Sequence, residues 1–152
     1  MAKFTFKLAG VLEHRRQVER QRQRELAVAQ QTVLALQAEL DALGAVKRAS
    51  SGQLRRRGHL SAAALAAHQR FASAMRQKAS SLSRQMADAR RLLEDAQVNL
   101  LEAAKQRKIM EKLREREQAR WEETERRREA AEADEIARLM HRNEPEHEQA
   151  SW

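Results

Sequence analysis

LAAHQRFASAMRQKASSLSRQMADARRLLEDAQVNLLEAAKQRKIM, residues 65–110, is the stretch on which the fold turns. Leu65, His68, Ala72, Met75, Ala79, Leu82, Met86, Ala89, Leu93, Ala96, Leu100, Ala103, Arg107 and Met110 follow one another at alternating spacings of three and four without a slip. That spacing keeps one narrow stripe of a helix turned toward a partner helix for about six and a half heptads, which is the seam of a coiled coil. A strand would alternate with period two instead.

A shorter copy of the pattern lies upstream in Leu26, Ala29, Val33, Leu36, Leu40 and Leu43. Gly44 weakens that helix, and Ser50, Ser51, Gly52 and Gly58 around Arg55-Arg56-Arg57 read as a loop. The expected layout is a single domain: a helix over about 8–48, a loop over about 50–60, a long helix over about 61–142 and a flexible acidic tail at 143–152. Ser61 is placed to cap the second helix, and Asn143-Glu144-Pro145 to end it, because proline disfavours helix in the residue before it. Ser80-Ser81 are poor helix formers and mark a place where the second helix can break. Unbroken, it would be roughly 120 Å long at about 1.5 Å per residue. The fold class is therefore all-α, a long antiparallel two-helix coiled-coil hairpin.

Composition agrees. Of 152 residues, 34% are charged and only 3% aromatic, with four Gly and one Pro, too little bulky apolar material for an ordinary globular core but typical of long helices. The absence of Cys excludes disulfides and thiolate metal sites and fits a reducing compartment. No apolar run approaches the roughly 18 residues of a membrane span, and the N-terminus lacks a signal-peptide core, so a soluble cytoplasmic protein is expected. The net charge of +8 is uneven: residues 1–60 hold 12 basic and 5 acidic groups, residues 61–112 hold 10 and 5, and residues 113–152 hold 8 and 12. A basic head and an acidic tail attract each other.

Two pairing registers satisfy this plan. In a tight hairpin Leu43 sits near Ser61 and Leu8 faces about Ala96. In the alternative the chain ends pair, so that Leu8, Val11 and Leu12 meet Ile136, Leu139 and Met140. Arg15, Arg16, Arg20, Arg22 and Arg24 then lie opposite Glu122, Glu123, Glu125, Glu129 and Glu132, and residues 26–43 face Ile109, Met110, Leu113 and Trp121. The second register is preferred because apolar meets apolar and basic meets acidic at all three levels. Residues 114–135 hold one large apolar residue, Trp121. Glu122–Arg126, Glu123–Arg127, Arg128–Glu132 and Asp134–Arg138 are spaced to pair along the helix there, each worth roughly 0.2–0.5 kcal/mol. Pairs of that strength leave most of the holding to the apolar clamps.

Sites for chemistry are not found. His14, His59, His68, His141 and His147 have no carboxylate spacing that builds a metal site, although His141 and His147 in the Glu-rich tail can take a divalent ion weakly. Gly10, Gly44, Gly52 and Gly58 are isolated and form no phosphate loop. The many carboxylates sit on exposed helix faces where nothing desolvates them enough to tune a pKa. No enzyme, cofactor, metal or small-molecule substrate is expected. Sequence-independent nucleic-acid binding is the main rival, through Arg15 to Arg24 and Arg55 to Arg57. Against it stand the interspersed Glu13, Glu19 and Glu25, the scarcity of stacking aromatics and the acidic C-terminal third. Membrane anchoring by residues 3–8 is disfavoured because that segment is too short. A homo-oligomeric scaffold follows if the seam at residues 65–103 is not covered by residues 44–60.

Phe4-x-Phe6-x-Leu8-x-x-Val11-Leu12-x-x-Arg15-x-x-x-Glu19 resembles the opening of the flagellar FliJ family, soluble components of the bacterial type III export apparatus. Lys105 onward, with Glu111-Lys112-Leu113-x-Glu115-Arg116, resembles that family's charged C-terminal helix, and length, basicity and the helix–loop–helix plan agree over nearly the whole chain. The resemblance implies a non-enzymatic antiparallel coiled coil shaped like the central stalk of rotary ATP synthases. Such a protein sits in the pore of a hexameric export ATPase (FliI-like), promotes its assembly, touches the export gate protein (FlhA-like) and handles export chaperones. It is implied to be monomeric when free, and cytoplasmic, associated peripherally with the export apparatus at the inner membrane. The N-terminal resemblance favours flagella over injectisomes. Arg15, Arg16, Arg20, Arg22, Arg24, Arg114, Arg116, Trp121, Arg126 and Arg127 are the residues expected to meet the ATPase ring. The family's gate-contacting pattern is an aromatic followed by apolar residues at helical spacing, which Phe71 and Met75 match and Leu82 extends. Lys78 departs from it where a small apolar residue is expected, and Met75 and Leu82 are also seam positions.

Overall fold

A computed structural model describes residues 3–142. Two helices, α1 (Ala9–Arg57) and α2 (Ala62–Arg142), make up nearly all of it and pack against each other as an all-α helical hairpin, with no strand among the described residues. The tail at 143–152, with His147, Asn143 and Pro145, lies outside them.

The helix ends have local causes. Arg55, Arg56 and Arg57 occupy the last turn of α1, where cations complement the carbonyl end of the helix. Gly58 then takes φ +64°, the left-handed conformation that ends a helix and that residues with a Cβ rarely adopt. Ser61 caps α2 as its sequence position foretells: its Oγ accepts from the Ala64 N–H at 3.1 Å.

Of the loop expected at about 50–60, residues 50–57 are helix instead and the connection is confined to 58–61, so Gly44, Ser50, Ser51 and Gly52 all lie inside α1. A helical glycine costs about 1 kcal/mol against alanine. Over several further turns of paired helix, packing offsets that cost. The same argument covers Ser80-Ser81, through which α2 runs unbroken. Gln85 Nε2 donates to Ser81 Oγ at 3.3 Å, and the adjoining Leu82 and Met86 are among the most buried residues of the protein.

The chain divides into two compact units. In the first, Arg15–Gln106, α1 and α2 run antiparallel. Its core is the sequence-predicted seam: Leu82, Met86, Ala89, Ala96 and Ala103 are buried, and His68, Ala72, Met75, Ala79, Leu93 and Leu100 are half-buried. Leu65 stays exposed at 44%. The opposing stripe from Leu26 to Leu43 is half-buried at each of its six seam positions.

The register differs from both expectations. Leu40 and Leu43 share a groove with Phe71, Ala72, Met75 and Ala79, while Val28 and Ala29 share another with Ala89, Leu92 and Ala96. Residues 26–43 therefore do not face Ile109, Met110, Leu113 and Trp121, nor does Leu43 sit by Ser61. The cause is the short turn at 58–61: once α1 runs on to Arg57, positions on the two helices pair about equally far from that turn. Arg15 and Arg22 accordingly share a groove with Asn99, Glu102 and Gln106, not with Glu122 to Glu132.

The second unit combines Met1–His14 with Arg107–Trp152. Phe6 and Leu12 are buried there, at 6% and 2% exposure. The Phe4 ring lies 5.9 Å from that of Trp121, tilted by 50°, a favourable aromatic arrangement. Phe4 is thus the partner that the lone Trp121 of residues 114–135 lacks in the sequence. The expected clamp of Leu8, Val11 and Leu12 on Ile136, Leu139 and Met140 does not form: Ile136, Leu139 and Met140 are 53%, 44% and 69% exposed.

Candidate functional site

Phe71 and Met75 lie one helical turn apart on α2, and the structure places both in a groove of about 220 Å³ between the helices. Leu40, Leu43 and Gly44 from α1 and Ala72 and Ala79 from α2 complete its apolar floor. Lys47, His68 and Arg76 line it too. Phe71 is 38% exposed at the mouth, whereas Met75 is half-buried in the seam, as its heptad position requires. Lys78, which departs from the family pattern, is exposed and does not line the groove. An apolar floor with two flanking cations accepts an apolar side chain that has acidic neighbours.

Sequence reasoning missed the α1 side of this groove, because the segment contributing Ser50 and Ser51 reads as loop. The signal was present: spacing from Leu43 continues through Lys47, Ser50 and Leu54 at four, three and four, but its first two positions are polar residues that a search for leucines passes over.

The expected ATPase-facing arginines fall in the two units, each set with its own surroundings. In the unit Arg15–Gln106, Arg15, Arg16 and Arg22 are half-buried and Arg20 and Arg24 are exposed. Arg22 pairs with Glu25 at 2.8 Å, and Gln21 donates to the other carboxylate oxygen at 3.3 Å. The Arg22 hydrogen bond first, and Gln21 second, hold the Glu25 carboxyl below the ordinary value for Glu. Arg24 Nε donates to the Arg20 carbonyl at 3.4 Å.

In the other unit Arg114 and Arg116 are exposed and Trp121 is half-buried against Phe4. Arg126 and Arg127 both close on Glu123, at 2.6 and 2.9 Å, and Arg128 on Glu132 at 3.1 Å. Two of the four expected pairs are thus present. In place of Glu122–Arg126, Gln118 donates to Glu122 at 3.0 Å. The ladder is short-range and exposed, so each pair adds little. Every residue from 126 to 142 is exposed. No group of three or more His, Asp or Glu side chains among the described residues is arranged to hold a metal ion, and no helix among them is long and apolar enough to cross a membrane.

Comparison with known proteins bears on this arrangement. No curated protein and no solved structure matches the chain. A family model does, described as Flagellar FliJ protein, over residues 4–146. The match takes in Phe4, the Phe71–Met75 groove, Trp121 and the exposed end of α2, and the chain belongs to the FliJ family of flagellar proteins.

Proposed function

We propose that this chain is a non-enzymatic component of the flagellar export apparatus that stands in the pore of a hexameric export ATPase of the FliI kind. There it promotes assembly and ATP hydrolysis, and links the ring to an FlhA-like gate protein and to export chaperones. Family membership supports the export role. The observation that carries the stalk reading is the bare end of α2. Over residues 126–142 a helix carries Arg126, Arg127, Arg128 and Arg138 beside Glu129, Glu132, Asp134 and Glu135, with Ile136, Leu139 and Met140 exposed among the described residues. Three apolar residues at i, i+3 and i+4 on a charged helix form a face that a surrounding protein can cover.

In this reading Arg15, Arg16, Arg20, Arg22, Arg24, Arg114, Arg116, Trp121, Arg126 and Arg127 meet the ring, and Phe71 and Met75 meet the gate. The chain is monomeric when free, because residues 44–54 of α1 already cover much of the seam that a second copy would need. It works at the cytoplasmic side of the inner membrane. ATP hydrolysis by the purified cognate ATPase tests the proposal. The chain is expected to raise the rate, and the variant Arg114→Glu/Arg116→Glu/Arg126→Glu/Arg127→Glu to lose that effect while keeping its helicity. Full stimulation by the variant would move the contact elsewhere.

A further inference from the structure

Charge on this chain is mixed nearly everywhere except around the turn. Residues 88–142 carry fourteen basic and fourteen acidic side chains, whereas residues 42–87 carry nine basic and none acidic. The nine are Lys47, Arg48, Arg55, Arg56, Arg57, Arg70, Arg76, Lys78 and Arg84, and all nine are exposed. The ion pairs of Arg22 with Glu25, of Arg126 and Arg127 with Glu123 and of Arg128 with Glu132 lie outside this segment, as does that of Arg107 with Glu111 at 2.6 Å. The antiparallel pairing brings residues 42–57 against the first turns of α2, so neither helix offers the other a carboxylate there.

At the turn itself the chain exposes apolar groups. Leu60 is 36% exposed within the Gly58–Ser61 connection, and Leu65, one turn into α2, is 44% exposed. Arg55, Arg56 and Arg57 immediately precede that connection, in the last turn of α1. Successive helical residues are rotated by about 100°, so three in a row ring more than half of the helix end and do not line one face. Long arginine stems lie along apolar surroundings while the guanidinium reaches outward to phosphate.

We propose that the turn joining α1 and α2 docks on an anionic lipid surface, with Leu60 leading into the headgroup layer and Arg55, Arg56 and Arg57 engaging lipid phosphates. A nucleic acid fits less well. Cations ringing a helix end do not track a duplex backbone, the only Phe, Tyr or Trp among residues 42–87 is Phe71 several turns away, and Leu60 would gain nothing from a phosphate groove. Arg48 and Arg70 lie about 13 Å or more from the turn at 1.5 Å per residue, beyond roughly one Debye length. The three arginines of the last turn therefore dominate. This contact involves neither the ATPase ring nor the gate, so it stands or falls apart from the stalk reading.

Co-sedimentation of the full chain with vesicles tests it. Binding is expected to vesicles containing phosphatidylglycerol, to weaken with salt, and to be absent from pure phosphatidylcholine. Each surface cation contributes about fivefold in affinity, so Arg55→Gln/Arg56→Gln/Arg57→Gln is expected to bind on the order of 100-fold more weakly. Leu60→Ser, which leaves the net charge unchanged, is expected to bind more weakly than the parent. Both variants alter exposed side chains, and unchanged helicity by circular dichroism confirms that they fold. Equal binding to neutral vesicles, undiminished binding by either variant, or binding to duplex DNA without binding to vesicles would each overturn the proposal.

Discussion

Leu82 and Leu92 are the same residue on the same helix and should respond to alanine very differently. Leu82 is 4% exposed in the seam and Leu92 is 64% exposed. Replacing Leu82 by Ala removes about three carbon groups from a dry site, roughly 2.4 kcal/mol of transfer free energy at about 0.8 kcal/mol per methylene. The seam is only two helices thick, so the space left partly closes or wets, and the cavity contribution is smaller than in a globular core; a total of about 3 kcal/mol is expected. At Leu92 about a third of that transfer energy is at stake, and alanine's better helix propensity offsets part of it, leaving about 0.5 kcal/mol or less. Urea unfolding followed by far-ultraviolet circular dichroism measures both differences. If the two variants unfolded at the same urea concentration, or if Leu82→Ala cost less than about 1 kcal/mol, the seam would not be the core described above.

Glycine substitutions should split by backbone conformation. Gly52→Ala, inside α1 with open space around the new methyl, is expected to stabilise by about 0.5–1 kcal/mol. Gly58→Ala, at φ +64°, is expected to destabilise by about 1 kcal/mol, and thermal melts of the two should shift in opposite directions. Phe4→Ala should release the ring pair, cost about 0.5–1.5 kcal/mol, and shift Trp121 emission to longer wavelength in a Trp152→Phe background; an unmoved spectrum contradicts the pairing. The Glu25 carboxyl titrates lower folded than unfolded, so its contribution is full above the unfolded value and is lost as the pH falls through the folded one. Acidification should therefore destabilise the parent more than Arg22→Ala, and parallel stability–pH curves would count against the pair.

Seam positions on α2 were legible because their identities repeat over many turns, and the burial of Leu82, Met86, Ala89, Ala96 and Ala103 follows that repeat. Ser61 was legible because an N-cap is a local event. Pairing register was not, because it depended on whether Gly44, Ser50, Ser51 and Gly52 end α1. Local propensity says they do, whereas tertiary packing carries the helix through them to Gly58. That one displacement moved the partner of residues 26–43 along α2 and removed the reason for pairing the chain ends. The Phe4–Trp121 contact joins residues far apart in sequence, and neither carries a signal naming the other. For the candidate sites, Phe71 and Met75 were legible as a spaced pair on one helix, while the α1 wall of their groove was hidden by the same misplaced loop.

Mass tests the stalk proposal most directly. The chain, mixed with its cognate export ATPase and a non-hydrolysable ATP analogue, is to be weighed by native mass spectrometry. The proposal predicts a ring of six ATPase subunits carrying one copy of this chain. Rings that form equally well without it and never retain it, or complexes holding one copy for every ATPase subunit, would contradict a single stalk in a pore.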